Sequence, residues 1–304
     1  MTLCEDGAVS TLMAFDTSYL YFRAYFGVPA TFRSPDGRPV NAVRGTLDFI
    51  GRLVGQYTPD VIACAWDDDW RPAWRVDLVP SYKAHRVVEG GSADEEVVDD
   101  DLAVQVPVIR ECLEALGLPV LGVPDHEADD VLASLARAHD GRSLVVTGDR
   151  DLFQLVDADT SVVYVARSVA NHEVVTPETL TARYGIPPAR YVDFAVLRGD
   201  PSDGLPGVRG IGEKSAVALV SAHASLEAIV EAALNPASGM TASMRAKVLA
   251  DVDYLARARE VVTCVDALQL PPLTRTPPDR DRIAELTTRW GLGGALTRVA
   301  DLIA

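Results

Sequence analysis

Five carboxylates stand at the two ends of one predicted helix–strand unit near the middle of the chain. They are Glu127, Asp129 and Asp130 at the start of the helix, and Asp149 and Asp151 just past the strand. Such a group repels itself by Coulomb's law, so a fold rarely gathers it for stability. Hard divalent cations, in contrast, take oxygen ligands. Because the sequence has no His or Cys pair at zinc spacing, the pattern predicts a Mg²⁺ or Mn²⁺ site.

Four further acids could join this site because of where they stand in the sequence. Asp16 and Asp67 each follow an apolar strand, and ligands of an open parallel sheet bind beyond the carboxyl ends of its strands. Asp200 and Asp203 lie in a Gly/Pro/Ser loop that could approach from the second half of the chain. The nine candidate metal ligands are Asp16, Asp67, Glu127, Asp129, Asp130, Asp149, Asp151, Asp200 and Asp203.

Each acid also has a simpler explanation. A single Asp after a strand is often a helix N-cap or a turn former, as Asp16 or Asp67 could be. Acids in the first turn of a helix complement its macrodipole, which could explain Glu127, Asp129 and Asp130. Neither explanation accounts for convergence on one rim without interleaved basic partners. Carboxylate sites with two ions about 4 Å apart cleave phosphodiesters by in-line attack of an activated water, and the set favours this chemistry.

A glycine-rich stretch, G-V-R-G-I-G-E-K, runs from Gly207 to Lys214. Glycines permit tight turns, and the N–H groups at the start of the following helix can hold a phosphate, with Arg209 and Lys214 adding positive charge. The pattern alone is a weak signal, and an ordinary bend between two helices is an alternative. With helices on both sides, the stretch is similar to the helix–hairpin–helix class, which grips the duplex backbone without reading sequence.

Aromatic and basic residues are mixed around Tyr82, Lys83 and Arg86. Such a mixture can stack the bases and pair with the phosphates of a single strand. Taken singly, Trp70, Trp74 and Tyr82 are more typical of core aromatics.

The formal net charge of −16 alone argues against a nucleic-acid partner. The charge is nevertheless segregated, because residues 71–86 hold four basic residues against one acid, whereas residues 89–101 hold seven acids and no Lys or Arg. A local phosphate-binding patch is therefore compatible with the composition.

The chain of 304 residues has 48% hydrophobic and 24% charged residues, which is typical of an ordinary globular protein. No apolar run approaches the roughly 18 residues of a membrane span. The acidic start of the chain does not resemble a secretory signal. Four widely spaced cysteines, Cys4, Cys64, Cys112 and Cys264, indicate reduced thiols in a cytoplasmic protein.

Short apolar runs alternate with helical patterns in the first half of the chain, and this alternation predicts an α/β fold with a parallel, doubly wound central sheet flanked by helices. The predicted strands are Leu12–Phe15, Val61–Trp66, Pro119–Val123, Leu144–Val146 and Ser161–Val165. Asn41 is the expected N-cap of the helix that continues to Tyr57. After about residue 175 only helical patterns follow, so we expect a core domain over 1–175 and an all-α module over 176–304.

Several motifs occur in one order along the chain. They are F-D at Phe15, W-D at Trp66, S-Y-K-A-H-R at Ser81, E-A-D-D at Glu127, T-G-D-R-D-L-F-Q-L at Thr147, and G-D-P-S-D-G-L-P-G-V-R-G-I-G-E-K at Gly199. Together they resemble the bacterial 5′ nuclease (flap endonuclease) family, which includes the 5′-exonuclease domain of family-A DNA polymerases. The resemblance covers roughly residues 12–265, and an ordered set of this kind is highly specific. It implies a PIN-like nuclease core and a structure-specific 5′ nuclease that hydrolyses DNA in replication and repair.

The resemblance also implies roles for the matched residues. The nine acids would hold two or more divalent cations, Mg²⁺ or Mn²⁺, and residues of about 70–105 would form a helical arch or clamp around the 5′ single strand. Tyr82, Lys83 and Arg86 would be catalytic residues at the base of the arch, with the basic pair on the scissile phosphate, and Arg75 would bind DNA from the arch side. A helix–two-turns–helix, often with a K⁺ ion, would bind the duplex through Gly207, Val208, Arg209, Gly210, Ile211, Gly212 and Lys214.

Two features depart from the family pattern. The loop that usually reads S-D-N is Ser202-Asp203-Gly204 in this chain, and Gly204 could loosen Asp203 or the bonds around it. The arch segment 89–101 is unusually acidic, which could weaken its grip on a single strand. No polymerase domain follows the matched region, so we expect a stand-alone nuclease.

The expected partner is DNA with 5′ flaps or 5′ ends at a duplex junction. We expect a monomer in the cytoplasm, associated with the nucleoid and not with a membrane. One alternative is a catalytically weak relative that only binds DNA structures, but that hypothesis predicts missing acids and all nine are present. The other is an RNA-directed nuclease of related architecture, which would need contacts to the 2′-OH group.

Overall fold

A computed structural model describes residues 9–92 and 95–304. Its centre is a six-stranded sheet with the strand order β3-β2-β1-β4-β5-β6. Cys4 and Asp94 lie outside the described residues. The strands are β1 Thr11–Asp16, β2 Val61–Ala65, β3 Val120–Leu121, β4 Arg142–Thr147, β5 Thr160–Tyr164 and β6 Glu173–Val175.

The first five strands are parallel, as predicted, and β6 pairs antiparallel with β5. The strand β6 is not among the predicted strands, and as an antiparallel edge strand it makes the predicted parallel sheet a mixed one. Only residues 165–172 connect β5 to β6, and a parallel crossover needs about a dozen residues or more. The short connection therefore allows only the antiparallel direction.

Helices cover both faces of the sheet. They are α1 Thr17–Gly27, α2 Asn41–Tyr57, α3 Ala73–Leu78, α4 Asp100–Ala103, α5 Val106–Ala115, α6 Ala128–Ala138, α7 Pro177–Tyr184, α8 Tyr191–Arg198, α9 Glu213–Ala222, α10 Leu226–Leu234, α11 Ala242–Ala250, α12 Val252–Val262, α13 Arg280–Trp290 and α14 Ala295–Leu302. Short 3₁₀ turns occupy Ala84–Arg86, Asp151–Leu155, Pro188–Arg190 and Pro201–Asp203.

Alternation along β1 divides the apolar core into two layers, because successive side chains of a strand point to opposite faces. Leu12 and Ala14 face the layer that holds α6 and the helices from α7 to α12. Met13 and Phe15 face the layer that holds α1, α2, α5, α13 and α14. The helical half of the chain is therefore seated mainly on one face of the sheet, so its loops can reach the rim of the strands.

The last two helices return to the opposite face and pack beside α2 and α5. Arg282 on α13 forms an ion pair with Glu111 on α5 at 2.6 Å, and Arg298 on α14 forms one with Asp48 on α2 at 2.8 Å. The sequence analysis did not find α14. The boundary at residue 175 stays a prediction, but α13 and α14 pack on the other face of the sheet from α8 to α12.

The segment 70–105, predicted to be a helical arch, is only partly helical. It contains α3, the turn Ala84–Arg86 and the four-residue α4. Between the last two, Val97 N donates to Arg86 O at 2.7 Å, and Val87 forms an antiparallel bridge with Glu96. The base of this arch segment is therefore extended backbone joined by a β-bridge. Its glycines and clustered acids disfavour helix formation.

Asn41 is not the N-cap that the sequence analysis predicted. The N-cap of α2 is Val40, without a side-chain cap. The side-chain amide of Asn41 instead donates to Tyr25 O at 2.8 Å and to Val28 O at 3.1 Å. The residue therefore ties the end of α1 to the start of α2.

Among the described helices, none alone has the length and apolar composition of a membrane span. The helices α9 and α10 meet that test only together, across a bend of 89°.

Candidate active site

The carboxyl ends of β1, β2 and β4 open into a cleft of about 780 Å³. Six of the nine predicted ligands line it: Asp16, Asp67, Glu127, Asp129, Asp149 and Asp200. Asp151 and Asp203 lie just behind it, around a smaller cavity that they share with Asp129. Asp130 lines neither cavity. The predicted convergence on one rim is thus found for eight of the nine acids.

One hydrogen-bonded chain joins β1 to β4 at this rim. Thr147 Oγ1 donates to Asp16 Oδ2 at 2.7 Å and accepts from Asp149 N at 3.0 Å. Asp151 N donates to Asp149 Oδ1 at 2.8 Å. Asp16 Oδ1 also accepts from Tyr19 N at 3.0 Å, so Asp16 is the N-cap of α1 as well. Asp16 is therefore both a helix N-cap, as the simpler explanation holds, and a residue that lines the cleft.

Asp67, like Asp16, lines the cleft and also accepts a hydrogen bond from the backbone at the start of a helix. Its Oδ1 accepts from Ala128 N, the first amide of α6, at 2.7 Å. The carboxylate at the end of β2 thus fixes the start of the helix that carries Asp129 into the cleft. Burial raises the pKa of Asp67, and the charge of Lys83 opposes this rise.

Three of the acids stand among like charges, and we call Asp16, Asp129 and Asp151 the open acids; Asp16 and Asp151 are buried and Asp129 is half-buried. Burial, reinforced by the charge of Asp67, raises the pKa of Asp16 to about 7. Burial and the neighbouring charge of Asp149 raise the pKa values of Asp129 and Asp151 well above the usual range. Asp151 Oδ1 is buried and accepts no hydrogen bond from the described residues. None of the three forms an ion pair with the described residues, and burial and like charges outweigh the opposing effects of Lys83 on Asp129 and of Arg198 on Asp151.

Glu127 and Asp130 have the opposite surroundings, and we call them the paired acids. Arg75 donates to Glu127 Oε1 at 3.0 Å and grips Asp130 with two bonds of 2.6 and 3.0 Å. Glu127 also accepts from Tyr82 Oη at 2.8 Å and pairs with Lys83 Nζ. Burial alone would raise the pKa of Glu127, but Lys83 and Arg75 lower it. Basic partners are therefore interleaved with the acids in space, although not in the sequence.

The geometry of Asp130 and Arg75 corrects two predictions. Asp130 is fully buried and faces away from the cleft, and its Oδ1 also accepts from Val265 N at 2.8 Å. It is therefore placed to orient Arg75, not to bind a metal in the cleft. Arg75 is 3% exposed, and its Nε donates to Val261 O of α12 at 3.1 Å. Its donors are engaged within the protein, so it does not face DNA as predicted.

The loop 198–204 brings the last two acids to the rim from the helical half. Arg198 pairs with Asp200 at 3.3 Å, and Arg86 pairs with Asp203 at 2.9 Å. Lys83 N donates to Asp203 O at 2.9 Å. Burial and the charge of Asp149 raise the pKa of Asp203 to about 6, against the opposing effect of Lys83. The loop therefore holds the base of the arch segment against the rim.

Gly204 makes this docking possible. Its φ of +69° lies in the left-handed region, and a Cβ on it would overlap the carbonyl oxygen of Ser81. The expectation that Gly204 loosens Asp203 stays a prediction. Gly204 lets the turn at Ser81–Lys83 approach the Asp203 backbone closely.

The predicted catalytic residues differ in accessibility. Lys83 and Arg86 line the cleft, but Tyr82 does not. Tyr82 is 4% exposed and gives its hydroxyl to Glu127, so its ring is not available for stacking. Trp70 lines the cleft, and Trp74 is half-buried with its ring under Arg75.

Sequence reasoning missed several residues that line the cleft: Tyr19, Phe22, Phe26, Tyr164, His85 and Arg150. Phe26 is 80% exposed, which is unusual for a large apolar side chain. A local signal for the aromatic residues is the run from Tyr19 to Phe26 directly after Asp16. For Arg150 the signal is its place between Asp149 and Asp151 in the sequence.

The glycine loop 207–212 is held by the helices that follow it. Val208 and Ile211 are 2% and 3% exposed, so their side chains pack in the core, and their predicted part in DNA binding stays a prediction. Gly207 N donates to Tyr254 Oη at 3.0 Å, and Arg209 N donates to Asp251 Oδ2 at 3.2 Å. These two amides are therefore unavailable to a phosphate.

The loop amides that could bind a phosphate are fewer than the predicted set. Gly210 N and Gly212 N have no acceptor among the described residues, and Lys214 stands exposed in the first turn of α9. Lys247 on α11, which the sequence analysis missed, donates to Gly210 O at 2.9 Å. A helix start with exposed N–H groups and two lysines suits a phosphate. The local signal for Lys247 is its charge alone, since only folding brings α11 beside Gly210.

The residues at the rim fit divalent cations by their chemistry. The donors are carboxylates, which hard cations prefer, and Asp151 Oδ1 is an unpartnered buried oxygen. No three His, Cys, Asp or Glu side chains within residues 9–92 and 95–304 are already gathered closely enough to hold one ion. Mutual repulsion keeps like charges apart, so the side chains must draw together to bind a cation.

Two family models together match most of the chain. Residues 11–185 match the 5′-3′ exonuclease, N-terminal resolvase-like domain. Residues 186–281 match the 5′-3′ exonuclease, C-terminal SAM fold. The division at 185/186 falls between α7 and α8.

Curated relatives are similar over nearly the whole chain. A 5′-3′ exonuclease of Streptomyces coelicolor is 47% identical over 295 residues, which cover 94% of this chain and 98% of the relative. A 5′-3′ exonuclease of Mycobacterium tuberculosis is 44% identical, with coverage of 95% and 96%. DNA polymerase I of Mycobacterium tuberculosis is 38% identical over 93% of this chain, but the match covers only 30% of the polymerase.

Two solved structures share the fold. T5 5′-exonuclease with bound zinc ions has a TM-score of 0.65 at 17% identity, covering 97% of this chain and 100% of that chain. The catalytic core of Rad2 in complex with DNA substrate has a TM-score of 0.63 at 17% identity, covering 97% and 93%. The predicted class, a nuclease-type α/β core with a helical C-terminal module, is confirmed.

Proposed function

Because the chain belongs to the 5′-3′ exonuclease family, we propose that it is a structure-specific 5′ nuclease that hydrolyses DNA phosphodiester bonds in replication and repair. Its substrates are 5′ ends and 5′ flaps at duplex junctions. One observation carries the proposal. The cleft sets Asp16 and Asp129, which form no ion pair among the described residues, beside Lys83 and Arg86, and this suits a metal-assisted reaction at a phosphate.

We assign the cation ligands to the acids of the two cavities at the rim. They are Asp16, Asp67, Glu127, Asp129, Asp149, Asp151, Asp200 and Asp203. Asp130 is left out because Arg75 and backbone amides hold its carboxylate. Two or more Mg²⁺ or Mn²⁺ ions at these carboxylates supply Lewis-acid chemistry and offset the acidic charge.

The chain's own residues bind and orient the substrate. Arg86 is partly exposed and Lys83 lines the cleft, so both can donate to the scissile phosphate. Thr147 holds Asp16 and Asp149 in a fixed relation through its hydroxyl. Tyr82 and Arg75 fix Glu127 from behind. We therefore class Lys83 and Arg86 as catalytic, and Tyr82, Arg75 and Thr147 as positioning residues.

The helical half binds the duplex in this proposal. The phosphate cradle consists of the amides of Gly210 and Gly212 with Lys214, Lys247 and Arg209 around them. A K⁺ ion between the loop carbonyls and a phosphate is compatible with this arrangement. We expect a monomer that acts in the cytoplasm at the nucleoid.

Matched DNA and RNA substrates test the proposal. A 5′ flap, a nicked duplex and a blunt duplex, each made in DNA and RNA, are incubated with Mg²⁺ and then Mn²⁺, and the cut is mapped. We expect cleavage of the DNA flap and nick with 5′-phosphate products, and no cleavage by Asp149→Asn. Preferential cleavage of RNA would contradict the proposed DNA substrate and favour an RNA-directed nuclease. Binding without cleavage would favour a relative that only binds DNA structures.

A further inference from the structure

The acidic segment 89–101 has no role in the proposed function, although Glu96 and Val97 of its described part line the cleft. Two backbone contacts fix its described part to the residues just before it. Val97 N donates to Arg86 O at 2.7 Å, and Glu96 forms an antiparallel bridge with Val87. A ladder of this kind sets where the side chains of both strands point.

Glu96 is the acid of this segment that lines the cleft. It is half-buried, and burial raises its pKa. The charges of Arg86 and Lys83 oppose this rise, whereas those of Asp67 and Glu127 reinforce it. The carboxylate therefore shares the cleft with the basic pair and with metal-site acids, and the charges of both act on it.

No basic side chain in the described ranges forms an ion pair with Glu96. Lys83 pairs with Glu127 and Arg86 pairs with Asp203 instead. A half-buried carboxylate that faces other acids without its own partner contributes no stability. Its position beside the residues that receive the phosphate suggests that its charge acts on the substrate.

We propose that Glu96 is a specificity-determining residue of the nuclease, which rests on the function proposed above. Its charge disfavours the phosphates of a 5′ single strand that must pass between the arch segment and the cleft floor. A 5′ end that lies at the duplex junction brings fewer phosphates past Glu96. Glu96 thus biases the enzyme toward 5′ ends at nicks and against long 5′ flaps.

The test compares kcat/KM on a long 5′ flap with kcat/KM on a nicked duplex. For Glu96→Gln we expect the flap-to-nick ratio to rise roughly three- to tenfold, the size expected for removing one like charge at short range in a partly hydrated cleft. Glu96→Asp keeps the charge and restores most of the original ratio. The gain shrinks at high salt, since salt screens partly exposed charges.

Glu89→Gln is the matched control, because Glu89 is exposed on the same segment and does not line the cleft. An equal ratio change in both variants, or no change in Glu96→Gln, overturns the proposal. Binding of the same two DNAs, followed by fluorescence anisotropy with Ca²⁺, gives a second ratio that needs no cleavage. Absence of cleavage by the natural chain contradicts the proposed function alone, whereas unchanged binding ratios contradict the role of Glu96.

Discussion

The paired acids and the open acids lie at the same rim and differ in what surrounds them. Glu127 and Asp130 share Arg75, and Lys83 lowers the pKa of Glu127. Asp129 stands next to Asp130 in the sequence, yet burial and the charge of Asp149 raise its pKa well above the usual range. Adjacent residues of one helix turn therefore have opposite electrostatic environments.

This difference separates carboxylates whose charge the protein already compensates from carboxylates whose charge it does not, and Glu127 is the one compensated acid that also lines the cleft. A buried acid with a bidentate arginine is satisfied, and removing its partner is costly. A buried acid among like charges is unsatisfied until a cation arrives, which is typical of sites tuned for function. Each group thus predicts a different consequence when it is changed.

The largest expected effect concerns the open acids. Asp151→Asn removes an unpartnered buried carboxylate, so we expect cleavage of a 5′ flap to fall roughly 100- to 1,000-fold or more, in line with the loss of one electrostatic stabiliser. The free energy of unfolding should stay equal or rise, because repulsion with Asp149 and Asp203 is relieved. Single-turnover kinetics and urea unfolding measure the two quantities. A variant that keeps full activity would remove Asp151 from the site.

A change in the shared partner of the paired acids should lower the stability of the protein. Arg75→Met has a similar volume but leaves Glu127 and Asp130 buried without their shared partner. We expect the free energy of unfolding to fall by about 3–5 kcal/mol, measured by urea unfolding. Arg75→Lys keeps one charge and should lose less. If Arg75→Met unfolds like the natural chain, Arg75 does not compensate these acids.

The sequence predicted much of the fold and the acids, but not this division. Apolar runs marked five of the strands, and acids at the strand ends marked the rim. The partners Arg75 and Lys83 precede Glu127 by 52 and 44 positions, so spacing along the chain does not reveal the pairing. The short β6 and the return of α14 to the sheet depend on long-range packing, which local patterns do not encode.

Gly204 offers a way to disturb the paired acids from a distance. Gly204→Ala puts a Cβ against Ser81 at a φ of +69°, which we expect to cost on the order of 2 kcal/mol of stability. The turn that carries Lys83 must shift, so Glu127 loses part of its compensation and activity falls. Asn tolerates this backbone angle better than Ala, but its Cβ meets the same overlap. The stability of Gly204→Asn should therefore lie between those of Gly204→Ala and the natural chain. Thermal unfolding of the two variants ranks them, and equal stability of Gly204→Ala and the natural chain would contradict the close approach.

The last effect is a change of stability with pH, to which Asp203 contributes together with the open acid Asp16. The pKa of Asp16 is raised to about 7 and that of Asp203 to about 6, so the folded state holds protons that the unfolded state has released. Their contribution to stability is present at low pH and is lost as the pH rises through 6 to 7. The lowered pKa of Glu127 acts in the opposite sense, but only as the pH falls below the ordinary range of Glu. In EDTA, we therefore expect the free energy of unfolding to decrease by roughly 2–3 kcal/mol between pH 5.5 and 8, as measured by urea titration. Mg²⁺ or Mn²⁺ should flatten this slope because it favours the ionised open acids, and a slope that persists unchanged would show that these acids do not share a cation.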